Sequence, residues 1–353
     1  MQPNQPQRAI PRSMQFALFI TGLLWLLASH SVADHSAQGI ANHLNLALIQ
    51  PLLSEGFFLF LLLVGFATLS WIATRTGNLR KDNALPQRAT ALREGQQGIV
   101  LGWAMLLVAV LPMMLVGDLH PEFWLAPRSW GLALLSLATL AVGTLALEVA
   151  FRGYLYARLI AAVGPVFATI LLSGIYALFS SFHPNSTSSS VGIAFLLGIL
   201  FSLAYLRTHG LWLGWGLHFA WTAAMGVLLG LPVGGLETYS SLVTTDSSGA
   251  AWITGGPYGP EGALFTVIVL VVGMIVLYRM TTDYAWEYTH PPIVPAGYEM
   301  TVAPPPAHTA MEAAAAAKPV PLVQILGTTS TSASTMPVID EHLRTNSNSD
   351  KAE

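Results

Sequence analysis

Eight stretches of this chain run for close to twenty residues with almost no charge: 14–33, 55–74, 97–117, 129–147, 164–182, 190–206, 212–231 and 262–278. A helix rising ~1.5 Å per residue needs about 20 residues to cross the ~30 Å hydrocarbon core of a bilayer. The pattern therefore predicts an all-α fold, a polytopic membrane helix bundle of about eight transmembrane helices. The fourth stretch runs on through LEVAFRGYLYARLI, so Glu148 and Arg152 sit at its end. Two regions break the pattern. The loop 233–261 is rich in Gly, Ser and Thr and ends ITGGPYGPEG; from about residue 282 the chain carries PPP, AAAAA and TTSTSAS. Both read as dispensable for the core, and the second as a disordered cytoplasmic tail. Three parts are expected: a two-span region with a basic loop (1–96), a transmembrane core (97–281) and the tail (282–353).

Composition agrees with a lipid solvent. Charged residues are 9% of the chain and hydrophobic ones 53%, against roughly 25% charged in soluble domains. A net charge of −3 leaves no basic footprint, which excludes nucleic acid as a partner. With no cysteine, disulfides, thiolate catalysis and cysteine-ligated metal sites are excluded as well.

Charge also orients the spans. Arg8 and Arg12 precede the first, and Arg75, Arg80, Lys81, Arg88 and Arg93 follow the second. Arg158 follows the fourth, Arg207 the sixth and Arg279 the eighth, while Asp34, Asp118, Glu122, Glu237, Asp246 and Glu261 occupy the alternate loops, with Arg128 the main exception. The positive-inside rule then places both termini in the cytoplasm, in a prokaryotic-type inner (plasma) membrane. The first span has a second reading: the run to Ser31-Val32-Ala33 before Asp34 has the form of a signal peptide with a small-residue cleavage site. With seven further spans behind it, an uncleaved anchor is preferred.

Polar groups inside spans are costly in lipid and mark candidate function. Glu148 and Arg152 stand i,i+4 with the acid N-terminal, the favourable order for a helical ion pair; as structure alone, they would clip two helices together. Phe179 to His183 puts an imidazole at the end of the fifth span, where a helix cap is the plain alternative. His218 to Thr222 puts an imidazole and a hydroxyl on one face inside the seventh, where Thr222 would otherwise bond back to its own helix.

In this order, on successive spans, the three blocks resemble the CPBP family, the CAAX prenyl proteases and bacteriocin-processing enzymes that cleave peptides within the membrane. That family carries Glu-Glu-x-x-x-Arg, then Phe-x-x-x-His, then His-x-x-x-Asn. Here they read Leu147-Glu148-Val-Ala-Phe-Arg152, Phe179 to His183, and His218 to Thr222. The resemblance covers roughly 129–226, including GILFSLAYLRTHGLW before the last block. It implies an intramembrane endopeptidase, a hydrolase acting on prenylated or other hydrophobic peptide segments. By position, His183 would activate water with the first glutamate, His218 and the asparagine would hold the oxyanion, and Glu148 with Arg152 would buttress the site.

Two of these positions depart from the family: leucine stands at 147 and threonine at 222. Leucine cannot take a proton, and loss of a general base costs about 10²–10⁴ in rate; loss of an oxyanion donor costs about 10²–10³. The expectation is an impaired protease, with catalytic candidates Glu148, Arg152, His183, His218 and Thr222. An inactive scaffold, chaperone or complex subunit that binds hydrophobic segments is the alternative, and a pigment or haem carrier using His218 or His183 the weakest class. Metal-free chemistry is preferred, although His183, His218 and Glu148 would make a His₂Glu zinc set. One difficulty stands: span counting puts Glu148 near the cytoplasmic end of its helix and His183 near the outer end of the next.

Overall fold

A computed structural model describes residues 10–75, 79–86, 88–116, 119–281 and 313–314. The predicted tail, 282–353, lies outside the described residues except for 313–314. The helix bundle belongs to the unit Met1–Pro291.

Each of the eight apolar stretches is helical over most of its length. In chain order the helices are α1 (Arg12–Leu44), α2 (Gln50–Thr74), the short α3 (Leu79–Asp82), α4 (Ala91–Val116), α5 (Pro127–Glu148), α6 (Leu155–Val163), α7 (Pro165–Ser180), α8 (Ser188–Thr208), α9 (Trp212–Ala223), the short α10 (Ala251–Thr254) and α11 (Leu264–Met280). Five helical runs are long and apolar enough to cross a membrane: Arg12–Leu44, Ala47–Thr74, Ala91–Val116, Pro127–Val163 and Ser188–Thr208. Pro165–Ser180 and Leu264–Met280 are shorter apolar helices. The fold is an all-α polytopic membrane bundle. Helix α1 continues through Ala33 and Asp34 to Leu44, and packs on α2 and α6.

Helix starts follow from local chemistry. Pro127 and Pro165 open α5 and α7, where a missing N–H costs nothing. Thr187 and Ser190 form a reciprocal capping box at the start of α8. Close packing of α4 on α9 depends on small residues: a Cβ added at Gly98 or Gly102 would fall 2.2 Å or 2.4 Å from the α9 carbonyls of Leu213 and Leu217. Such positions let helix backbones approach where lipid supplies no hydrophobic drive.

Two buried clusters make the core. One joins α4, α8, α9 and α11 around Leu106, Met113, Phe201, Trp221 and Leu270. The other joins α1, α2, α5, α6 and α7 around Phe19, Phe66, Phe151, Tyr154 and Leu172. Tyr176 of α7 packs against both.

The junction of α5 and α6 resolves the difficulty of height. The helical run does not stop at Glu148; it passes through a π-helical segment, Val149–Tyr154, into α6, so Glu148 lies in its interior. Chain direction reverses at Gly164, and α7 packs back along α6. Glu148 is 16 residues before that turn and Ser180 16 after it, so helices of equal rise bring both to the same height. Ring contacts agree: Phe151 meets Tyr176 at 5.3 Å and Phe179 at 5.8 Å. The start of the second block therefore stands level with the first.

Outside the helices, Leu119–Phe123 (β1) and Val243–Ser247 (β2) pair antiparallel, with Leu119 opposite Ser247. Hydropathy does not reveal this ribbon, whose short strands carry no clear period of two. The loop 233–261 is also not dispensable: Thr254 and Tyr258 are buried, and Ser180 and Tyr258 share a 2.8 Å hydroxyl hydrogen bond.

Candidate active site

Helix α9 carries His218 on its buried face, with the imidazole stacked on Phe201 at 4.5 Å between ring centres. Nδ1 lies 2.9 Å from Glu148 Oε1. A carboxylate only accepts, so in this pair Nδ1 carries the hydrogen and Nε2 is left for the other side. When the ring is neutral, Nε2 is an acceptor; when it is protonated, a donor.

Behind that contact sits Arg152. Its Nη1 stands 3.6 Å from Glu148 Oε1, and its Nη2 donates to the Gly198 carbonyl at 3.3 Å. Both side chains are 1% exposed. Aromatic faces surround the guanidinium: Tyr176 at 4.7 Å, Phe201 at 5.0 Å and Phe151 at 5.6 Å from ring centres. Desolvated cation–π contacts add about 2 kcal/mol, which offsets part of the burial cost of an arginine with one carboxylate nearby. The charges in LEVAFRGYL are thus the back wall of the site.

In front lies a cavity of about 520 Å³. Leu147, Phe179, His183, His218 and Thr222 line it; Glu148 and Arg152 do not. Of the five catalytic candidates, His183, His218 and Thr222 line the cavity and Glu148 and Arg152 stand behind it, because adjacent helical residues point ~100° apart. Position 147 faces the cavity and position 148 faces His218.

His183 is exposed in the turn after α7, where its N–H reaches the Ser180 carbonyl at 3.1 Å. Gly234 packs against its ring so closely that a Cβ there would fall 2.8 Å from Nδ1. Thr222 gives its hydroxyl proton to its own helix, to His218 O at 3.0 Å and Phe219 O at 3.2 Å. A hydroxyl has one proton, so in this rotamer Thr222 offers none to an oxyanion.

Sequence reasoning missed two acids. Glu55 of α2 lines the cavity, where a Cβ added at Gly143, one turn before Leu147, would fall 3.0 Å from its carboxyl carbon. Glu261 lines it as well: its Oε1 accepts from Trp221 Nε1 at 2.9 Å and its Oε2 from Gly234 N at 3.1 Å. Protein crowds Glu261 closely, yet part of its surface stays accessible, as befits a cavity wall. Burial raises its carboxyl above the ordinary value of 4.5, while the Trp221 bond, His218, the Gly234 bond and His183 pull it back. Burial likewise pushes the neighbouring Tyr258 phenol up to about 12, with Glu261 adding to the rise. No spacing rule links Glu261 to the motifs. The glycines of ITGGPYGPEG were the one local signal, since they mark a backbone that must turn tightly or approach closely.

Among the described residues no group of three or more His, Asp or Glu side chains is arranged to hold a metal ion. Glu148, the third member of the candidate zinc set, turns to His218 Nδ1 and away from the cavity.

Residues 129–224 match the family model of type II CAAX prenyl endopeptidase Rce1-like proteins. No curated protein and no solved structure matches the chain.

Proposed function

With residues 129–224 an Rce1-like domain of the CPBP family, and the chain an integral membrane protein, we propose that it hydrolyses peptide bonds in prenylated or otherwise membrane-bound segments. The observation that carries this reading is the Glu148–His218 contact at 2.9 Å, which fixes Nδ1 of an imidazole that lines a cavity shared with His183.

The chemistry follows from the residues. A peptide carbonyl between the two imidazoles would meet His218 Nε2 on one side, the protonated ring being supported by the Glu148 carboxylate that Arg152 holds in place. A fixed donor aimed at developing negative charge is worth about 10²–10³ in rate. His183 would hold the attacking water from the exposed rim. Apolar lining such as Leu26, Phe58 and Leu140 suits a hydrophobic segment or lipid chain. Arginine placement in the loops supports the reading that both termini are cytoplasmic.

A second reading rests on Leu147 and Thr222. A cavity that lacks the expected carboxylate, and whose hydroxyl donates to its own helix, suits a protein that binds hydrophobic segments without cutting them. Cleavage decides between the two. Purified protein in lipid vesicles is offered a farnesylated peptide with a C-terminal CaaX-type sequence and an unprenylated hydrophobic peptide. Hydrolysis that falls by ~10² or more in His218→Phe, which keeps the stack on Phe201, supports the enzyme. Binding without hydrolysis in the unmodified protein supports the scaffold.

A further inference from the structure

The cavity has a leucine where a water-activating carboxylate is expected, and a carboxylate where none is expected. We propose that Glu261, from the loop between β2 and α11, is the proton-accepting residue of this site and fills the role that position 147 cannot. The inference rests on the hydrolase reading above.

Three observations support it. Glu261 and Leu147 both line the cavity, together with His183 and His218. Gly234 touches both members of the suggested pair: its N–H donates to Glu261 Oε2 at 3.1 Å, and a Cβ on it would fall 2.8 Å from His183 Nδ1. The carboxylate is also built in. Trp221, fully buried and next to Thr222 on α9, holds Oε1, so the acid is anchored to the helix that bears His218. Each oxygen then accepts one protein N–H and keeps a lone pair for water. Glu148, by contrast, is tied to His218 and Arg152 and does not reach the cavity.

Glu55, the other acid on the wall, is the weaker candidate. It packs over Gly143 from α2 and has no hydrogen-bond donor among the described residues to aim it. Glu261 has two.

The step balances with water alone. The water oxygen bonds to the scissile carbonyl carbon as one water proton passes to the Glu261 carboxylate. The C–N bond then breaks and the Glu261 proton goes to the leaving nitrogen. The second water proton departs as the new carboxyl group ionises, and Glu261 is regenerated as a carboxylate.

Four proteins test this against the vesicle substrates: unmodified, Glu261→Gln, Glu261→Asp and the exchange Leu147→Glu with Glu261→Gln. Binding of a non-cleavable peptide monitors the fold of each. Glu261→Gln is expected to lose ~10²-fold or more in kcat with binding kept, and the exchange to regain at least ~10-fold of that, because a base returns to the cavity lining. Should the Gln variant fail to bind, Glu261→Asp decides: a carboxylate drawn back by one methylene lowers kcat ~10-fold or more. Cleavage unchanged within about threefold in Gln or Asp variants that bind peptide overturns the assignment and leaves the hydrolase reading standing. An inert unmodified protein beside an active exchange variant overturns both, because the natural chain then binds without cutting although its cavity can support cleavage. No cleavage by any of the four, with binding intact, ends both.

Discussion

Glu148 Oε1 lies 2.9 Å from His218 Nδ1 and 3.6 Å from Arg152 Nη1, in a place where neither carboxylate nor guanidinium touches water. One carboxylate oxygen therefore serves both an imidazole and a buried cation. The other, Oε2, is buried without a hydrogen-bond partner. The acid thus has two loads on one atom, and each can be tested apart.

Breaking the pair should be expensive. Glu148→Gln leaves Arg152 buried among aromatic faces without its counter-charge, and removal of one partner of a buried pair costs about 3–5 kcal/mol. Replacing both, as Glu148→Gln with Arg152→Met, should be milder, because no unpaired charge remains. Thermal unfolding in detergent separates the two. Equal destabilisation of single and double variants would show that the charges do not depend on each other.

The sequence made this part of the molecule legible because its signals are local. Eight apolar runs gave the helices, and the i,i+4 spacing gave the ion pair. What was not legible depended on contacts between distant segments. That Glu148 bonds His218 follows from the packing of α5 against α9, and that the second block stands level with Glu148 follows from the run through Val149–Tyr154 and the reversal at Gly164; hydropathy locates none of these. Glu261 is 43 residues beyond His218, in a loop rich in Gly that had no reason to look structural until Tyr258 was seen bonded to Ser180.

Gly234→Ala should damage activity more than stability. Gly234 has φ +55°, and a left-handed alanine costs about 1–2 kcal/mol. Its Cβ would also fall 2.8 Å from His183 Nδ1. His183 is exposed and can move aside, which keeps the fold but takes the imidazole from the cavity rim. A misplacement of about 1 Å can cost 10²-fold in rate. Retained melting temperature within a few degrees, with kcat down ~10-fold or more, is the expected outcome; unchanged kcat would remove His183 from the site.

Acidity should limit the reaction at a higher pH than an ordinary carboxylate allows. Burial raises Glu261 above 4.5, against the pull of Trp221, His218, Gly234 and His183; Tyr258 and Tyr176 also face it. As a base it works only when ionised, so kcat/KM should rise through an acid limb centred above 4.5. Stability runs the other way. Because the folded form holds this proton more tightly, the contribution is fully present below 4.5 and fades as pH rises through the raised folded value. Glu261→Gln should flatten that part of the stability profile. An acid limb at or below 4.5 would mean that Glu261 does not gate the reaction.

Thr222→Asn should improve cleavage. Thr222 spends its one proton on His218 O and Phe219 O, so the position that faces the cavity beside His218 supplies no donor. Asparagine carries two N–H donors on a longer arm, so one remains for the cavity when the other bonds back to the helix. If the carbonyl oxygen of a bound peptide lies between position 222 and His218 Nε2, the added donor should raise kcat by ~10-fold, up to the 10²–10³ such a donor is worth where geometry is good. The rise should appear in kcat with KM little changed, since the bond strengthens as negative charge develops on the oxygen. A lower KM at constant kcat would place the asparagine against the ground-state peptide only. A fall in kcat with binding intact would mean that the threonine methyl shapes the cavity for a substrate whose carbonyl lies elsewhere, and the role assigned to His218 Nε2 would fail with it.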